Sequence, residues 1–256
     1  MSDLYTAHFF AAKDAGRAYV ARQVMDVIAR FLQPHAVADF GCGTGIWLNA
    51  AADIGAQSLH GFDGPWISQS DLDSRIKFTQ VDLEAGASPA GTCNLAICLE
   101  VAEHLTPAAG TRLIKTLCSV APVVLFSAAI PAQGGTNHIN EQWQSYWADE
   151  FAANGFDCFD PIRPEIWSDR NVFPRYRQNI LLFVSRSADK IDRTLIGSPI
   201  PARDASCVHP EMFEHVVARL SEQGRITLRR LMRNILHALP GGAQVHAWIN
   251  QSIRKN

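Results

Sequence analysis

The chain has 256 residues, 47% of them apolar and 19% charged, with a formal net charge of −2 and a pI near 6.5. That balance excludes a disordered or fibrous chain and leaves room for one large α/β domain with an appendage. The weak net charge gives no electrostatic footprint for nucleic acid, and none is expected as a partner. Six scattered cysteines without a CxxC pair point to reduced thiols. We see no basic-then-apolar leader and no apolar run approaching the ~20 residues of a spanning helix, so a cytoplasmic protein is expected.

In chain order, residues 16–33 repeat Val20, Val24, Val27, Ile28, Phe31 and Leu32 at helical spacing, and Pro34 ends the helix. Ala36 to Phe40 predicts a buried strand, followed by a glycine turn and a helix closed by Gly55. SLHGFDG predicts a second strand ending near Asp63, and RIKFTQVDL a third ending near Asp82. CNLAICLE is a fourth strand, leading into a helix that starts at Glu100 and runs on through AAGTRLIKTLCSVA. PVVLFSAAI is a fifth. A polar glycine-rich loop, a helix stopped by Gly155 and a late strand in YRQNILLFVS follow. Strands alternating with helices predict a doubly wound α/β fold, with a mostly parallel, seven-stranded Rossmann-like sheet and helices on both faces. Residues 1–186 are read as this domain and 187–210, with Pro199 and Pro201, as a linker. Residues 211–256 are read as a helical extension, whose Arg225, Arg229, Arg230 and Arg233 share a helix with Leu228, Leu231, Met232, Ile235 and Leu236. Such a helix docks against a protein partner or touches a membrane surface.

The glycine turn reads Asp39-Phe40-Gly41-Cys42-Gly43-Thr44-Gly45. Glycines here let the backbone approach a ligand closely. The pattern is GxGxG, whereas a dinucleotide fingerprint wants GxGxxG, and Asp39 would repel a pyrophosphate. A carboxylate there suits a cationic ligand such as an amino group. Asp63 is placed to bond ribose hydroxyls and Asp82 an exocyclic amine of adenine. Glu100, Glu103 and His104 stand at i, i+3 and i+4, one face of a helix if a helix begins there.

Together, VADFGCGTG, GFDG, VDLE and the fourth-strand segment resemble the class I S-adenosylmethionine-dependent methyltransferases over roughly residues 35–130. The resemblance implies that Asp39, Gly41 and Gly43 surround the methionine end of the cofactor, Asp63 its ribose, and Asp82 with Leu83 its adenine. Trp66 is read either as packing on the nucleoside or as plain core. Glu100-Val101-Ala102-Glu103-His104 resembles the ExxEH segment of ubiquinone-biosynthesis O-methyltransferases and of small-RNA 2′-O-methyltransferases. The latter likeness implies a divalent metal (Mg, Mn or Fe) held by Glu100, Glu103, His104 and a histidine after strand five, here His138. Those donors suit an open six-coordinate site rather than structural zinc. A metal-free site with His104 or His138 as general base, and a purely structural role, stay open beside it. Trp143, Tyr146, Trp147, Trp167, Tyr176 and Arg163 are read as a polar–aromatic acceptor wall or as lid core. The expected activity is O-methylation of a sugar, glycan or secondary-metabolite hydroxyl. Metal-independent N- or C-methylation is the alternative, and a nicotinamide oxidoreductase or a silent cofactor-binding subunit are the more distant rivals.

Overall fold

The computed structural model describes residues 7–87, 91–189 and 191–222. Strands β1 (Ala36–Phe40), β2 (Ser58–Asp63), β3 (Ile76–Gln80), β4 (Leu95–Leu99), β5 (Val123–Ser127), β6 (Phe156–Phe159) and β7 (Leu181–Ser185) form one sheet in the order β3-β2-β1-β4-β5-β7-β6. β1 to β5 pair in parallel, and β7 runs antiparallel to both β5 and β6. The helices are α1 (Ala7–Ile28), α2 (Ile46–Asp53), α3 (Pro107–Val120), α4 (Gln144–Ala153), α5 (Arg163–Ile166), α6 (Pro174–Asn179) and α7 (Pro210–Glu222).

The period-two geometry of a strand sends alternate side chains to opposite faces, and both faces here are apolar. Leu95, Ile97 and Leu99 of β4, with Val123 and Leu125 of β5, join a cluster built with Val24 and Ile28 of α1 and Leu48 of α2. Ala96, Cys98, Val124 and Phe126 point the other way, to Leu113 and Leu117 of α3 and Phe151 of α4. In that second layer Phe151 stacks on Phe183 with ring centroids 3.8 Å apart, and Phe126 meets Trp147 at 5.3 Å. A sheet covered on both faces is what continuous runs such as PVVLF require. The N-terminus of α3 is set by Thr106, whose hydroxyl accepts from the Ala109 amide (3.4 Å), and by Pro107 in the first turn, where a missing N–H costs nothing.

The expected seven-stranded, mostly parallel sheet is the observed one, with four differences in its parts. The helix expected to start at Glu100 does not: Glu100 has φ 57°, residues 102–104 make a single 3₁₀ turn, and α3 starts only at Pro107. β3 stops at Gln80, short of Asp82, and β6 is a strand the sequence reading did not contain. The late strand begins at Leu181 because the residues before it form α6.

The chain divides into two compact units between His209 and Pro210. The stretch read as a linker therefore belongs, as far as His209, to the first unit. Ile200 bridges β6 by donating its N–H to the Cys158 carbonyl (2.8 Å), and Ala205 and His209 are buried. Of the second unit the described part is α7; the arginines at 225, 229, 230 and 233 lie outside the described residues. Among the described residues no helix is long and apolar enough to cross a membrane.

Candidate active site

Between β1 and β4 the strand order reverses, and in open α/β sheets ligands occupy the crevice beyond the strands' carboxyl ends at such a point. Two segments meet there. The first is the glycine turn, with Gly41, Gly43 and Gly45 at φ 85°, 52° and 75°, a region that glycine occupies freely. The second follows β4 and lies against the turn: a Cβ added at Gly41 would come within 2.3 Å of Val101 Cγ2.

Asp63, at the end of β2, holds this turn in shape. Its Oδ2 accepts from the Gly43 amide and its Oδ1 from the Gly64 amide, both at 2.7 Å. Burial pushes its carboxyl up, while these two amides and the Trp66 indole pull it down. Trp66 is 44% exposed and its ring sits on Gly64, where a Cβ would meet it at 2.3 Å. It is a rim residue bonded to Asp63, not core. Asp39 is buried, and its carboxyl stands well above the usual range because of desolvation first and the Asp63 charge second. Its buried Oδ2 has no hydrogen-bond partner among the described residues, an orphan acceptor at the end of β1. Asp82 is exposed and accepts from the Glu84 amide (2.9 Å), closing its own turn, and Leu83 is half-buried against the second core layer.

Beyond Val101 a second cluster of titratable side chains begins. Glu103 is 1% exposed, and neither carboxylate oxygen has an aligned hydrogen bond; only the amides of Glu103 itself and Ala129 lie near enough to favour its charge. Desolvation, followed by the Glu100 charge, raises its carboxyl well above the usual range. Its backbone carbonyl accepts from the amides of Ile139 and Asn140 (2.9 and 3.1 Å), which ties the loop after β5 to the turn after β4. That tie brings His138 to His104, with ring centroids 4.8 Å apart and planes at 87°. His138 Nδ1 pairs with Glu141 Oε1 at 3.0 Å, and its ring rests on Gly135, where a Cβ would strike Nε2 at 2.2 Å. Burial, with the His138 charge second, lowers the His104 pKa.

Ligand-type atoms of Glu103, His104 and His138 all lie within 4.8 Å of one another. Three of the four expected donors therefore converge, from two separate loops. Glu100 is not among them. Its left-handed backbone, costing ~1–2 kcal/mol for a non-glycine residue, turns the carboxylate toward Ser127, Gln133 and Asn179.

The whole arrangement, a reversed strand order with a glycine turn after β1 and carboxylates at the next strand ends, lies within residues 16–163, which match a family model described as a methyltransferase domain. The chain belongs to the methyltransferase-domain family. It carries a methyltransferase domain. No curated protein matches it significantly. Among solved structures the methyltransferase is similar to an O-methyltransferase family protein from Burkholderia thailandensis, at 16% identity and TM-score 0.51, covering 70% of this chain and 59% of that one. It is also similar to magnesium protoporphyrin IX methyltransferase from Synechocystis, solved with bound SAH, at 20% identity and TM-score 0.49, covering 69% and 87%. At 16% identity the likeness to the Burkholderia protein speaks for the fold alone.

Around Glu100 and Glu103 of the methyltransferase stand residues that the sequence reading passed over. Asn140, Gln144, Gln178 and Asn179 are all buried, and Gln133 joins them by accepting from both Gln178 Nε2 (3.3 Å) and Asn179 Nδ2 (3.0 Å). The signal was the polar pair Gln178-Asn179 directly ahead of the apolar run ILLFV. The expected aromatic wall is not a surface. Trp147 and Tyr176 are buried in the two core layers, and Arg163 is buried with its guanidinium on Asp160 (2.9 Å) and the Ala205 carbonyl (2.9 Å). Trp167 packs on His209 (4.5 Å), Tyr146 is half-buried, and Trp143, at 44% exposure, faces solvent.

Proposed function

We propose that the methyltransferase moves the S-adenosylmethionine methyl group to a hydroxyl oxygen of a sugar, glycan or secondary-metabolite acceptor, and that Glu103, His104 and His138 hold a divalent cation beside it. The observation that carries this reading is the Glu103–His104–His138 cluster. A buried carboxylate with both oxygens short of partners faces two imidazoles, and this is costly unless a positive group or a proton fills the gap. Without Glu100 the set is one carboxylate and two imidazoles, which suits Fe²⁺ or Mn²⁺ with open positions better than Mg²⁺, an ion that prefers oxygen donors. The 4.8 Å spread is slightly more than the ~4.2 Å across a shell of ~2.1 Å bonds, so the donors would draw together by a fraction of an ångström. When bound, such a cation lowers the pKa of a coordinated hydroxyl.

The chain's own residues supply the rest. Glu141 fixes the His138 ring through Nδ1, the usual carboxylate support for a ligating imidazole. Burial lowers the His104 pKa and so favours the neutral imidazole, the form whose one free ring nitrogen ligates a cation. In-line attack on a sulfonium methyl depends on alignment, which the clamp between Glu103 and the amides of Ile139 and Asn140 supports.

The test is calorimetric titration of Mn²⁺ and Mg²⁺ into the S-adenosylhomocysteine complex, alongside turnover on a panel of hydroxylated acceptors with and without EDTA. Cation binding lost in Glu103→Gln and His138→Ala, with turnover stopped by EDTA, is the expected result. Undiminished turnover in EDTA would replace the cation by His104 acting as base.

A further inference from the structure

The side chain that follows β4 belongs neither to the glycine turn nor to the cation cluster. Glu100 is half-buried and adopts φ 57°, a conformation rare for a residue with a Cβ, and an observed outlier of this kind asks for a function. The backbone there is pinned, the Glu100 amide donating to the Ser127 carbonyl (3.0 Å) and lying 3.1 Å from Ser127 Oγ. The carboxylate then collects three donors: Ser127 Oγ (2.9 Å) and Asn179 Nδ2 (3.1 Å) on Oε1, and Gln133 Nε2 (3.3 Å) on Oε2. Asn179 is itself held in place, its Oδ1 accepting from Gln178 Nε2 (2.9 Å), and Gln178 Oε1 accepts in turn from the His209 amide (2.9 Å). Three segments of the chain thus converge on one side chain. All the donors are neutral hydroxyls and amides, the pattern that suits an acceptor-only anion without cancelling its charge by a fixed cation.

Its place in the fold says what that charge is for. The next residue, Val101, lies on Gly41 of the cofactor turn, and the residues just beyond it, Glu103 and His104, form the acceptor cluster. The reacting methyl group must lie between those two features, and Glu100 is the chain position that joins them. The methyl donor carries a positive sulfur, whereas the product S-adenosylhomocysteine carries a neutral one. We propose that Glu100 is the counter-charge of the sulfonium: a positioning residue, fixed by Ser127, Gln133 and Asn179, that makes the site prefer the charged donor over its neutral product. The proposal rests on the methyl-donor reading of the crevice and is independent of the cation.

The experiment measures dissociation constants of S-adenosylmethionine, S-adenosylhomocysteine and sinefungin, whose amine places a positive charge near the sulfur position, by calorimetry in EDTA. Wild type is compared with Glu100→Gln. The expected result is that the variant loses about tenfold in affinity for the two cationic ligands while S-adenosylhomocysteine stays within about twofold. Equal losses for all three ligands, or no loss, would overturn the role of Glu100. If Glu100→Gln binds no ligand, Asn179→Ala takes its place, since it keeps the charge and removes one of the two donors that fix Oε1. The ratio of S-adenosylmethionine to S-adenosylhomocysteine affinity must then fall at least twofold, and an unchanged ratio overturns the proposal. Failure of wild type to bind any of the three would instead remove the methyl-donor reading of the crevice.

Discussion

Asp63→Asn separates the two jobs that meet at the end of β2. The carboxylate receives the Gly43 amide on one oxygen and the Gly64 amide on the other, each at 2.7 Å. An asparagine of the same shape has one acceptor oxygen and one NH₂, so one of the two amides must face a donor. A charge-assisted hydrogen bond is worth about 1.5–3 kcal/mol, and a buried amide left without a partner adds to the loss. Against this, burial raises the Asp63 carboxyl, so removing its charge gives back part of the cost. The net expectation is a loss of about 2 kcal/mol, or roughly 4–8 °C in melting temperature for a unit of this size. Cofactor affinity falls further, because the loosened residue is the left-handed glycine of the turn: about thirtyfold for the same ~2 kcal/mol, and more if the ribose also contacts Asp63. Differential scanning calorimetry and titration with S-adenosylhomocysteine read the two effects. A lower melting temperature with unaltered affinity would show that Asp63 staples the turn without serving the ligand, and no change in either would refute the reasoning.

Three further outcomes follow from the geometry. Gly41→Ala puts a Cβ 2.3 Å from Val101 Cγ2 at φ 85°, so S-adenosylhomocysteine affinity drops more than tenfold by calorimetry, and adding Val101→Ala recovers part of it. Phe151→Ala opens a cavity beside Phe183 and Phe126 and lowers urea-denaturation stability by ~3–5 kcal/mol, with cofactor affinity per folded molecule retained. Asp39 sets a pH dependence: its folded pKa lies above the unfolded one, so below the ordinary carboxylate range both states are protonated and its burial costs nothing. As pH rises toward the folded pKa, the unfolded state releases the proton first and stability is lost. Asp39→Asn removes that loss, so its stability relative to wild type, measured by urea denaturation, rises between pH 4 and pH 7; a difference independent of pH would contradict the assignment.

Much of this was legible in the sequence, and the misreadings have physical causes. Ala36–Phe40 and Ser58–Asp63 announced themselves by apolar runs ending at glycine and aspartate, and the glycine turn by its spacing. Spacing alone misled at Glu100. Positions i, i+3 and i+4 mimic a helical face, but the helix begins only where Thr106 and Pro107 supply a cap, and the left-handed residue at 100 sends its side chain elsewhere. β6 escaped because Phe156–Phe159 is short and its pattern matches a helix end as well as a strand. The polar pair Gln178-Asn179 carried a signal, but its partners could not be read: that Asn179, far along the chain, bonds to Glu100 is a fact of tertiary approach through β7.

The bridge between Ile200 and Cys158 has a consequence for the molecule's sociability. β6 is the outermost strand at its end of the sheet, and an open strand margin is a template on which a stranger's backbone can lay itself down. Ile200 occupies one rung there, and the imino acids on either side of it, Pro199 and Pro201, have no N–H with which to continue a ladder. The chain thereby stoppers its own margin after a single rung, and a version lacking these three residues would expose a surface suited to open-ended stacking of one copy on the next.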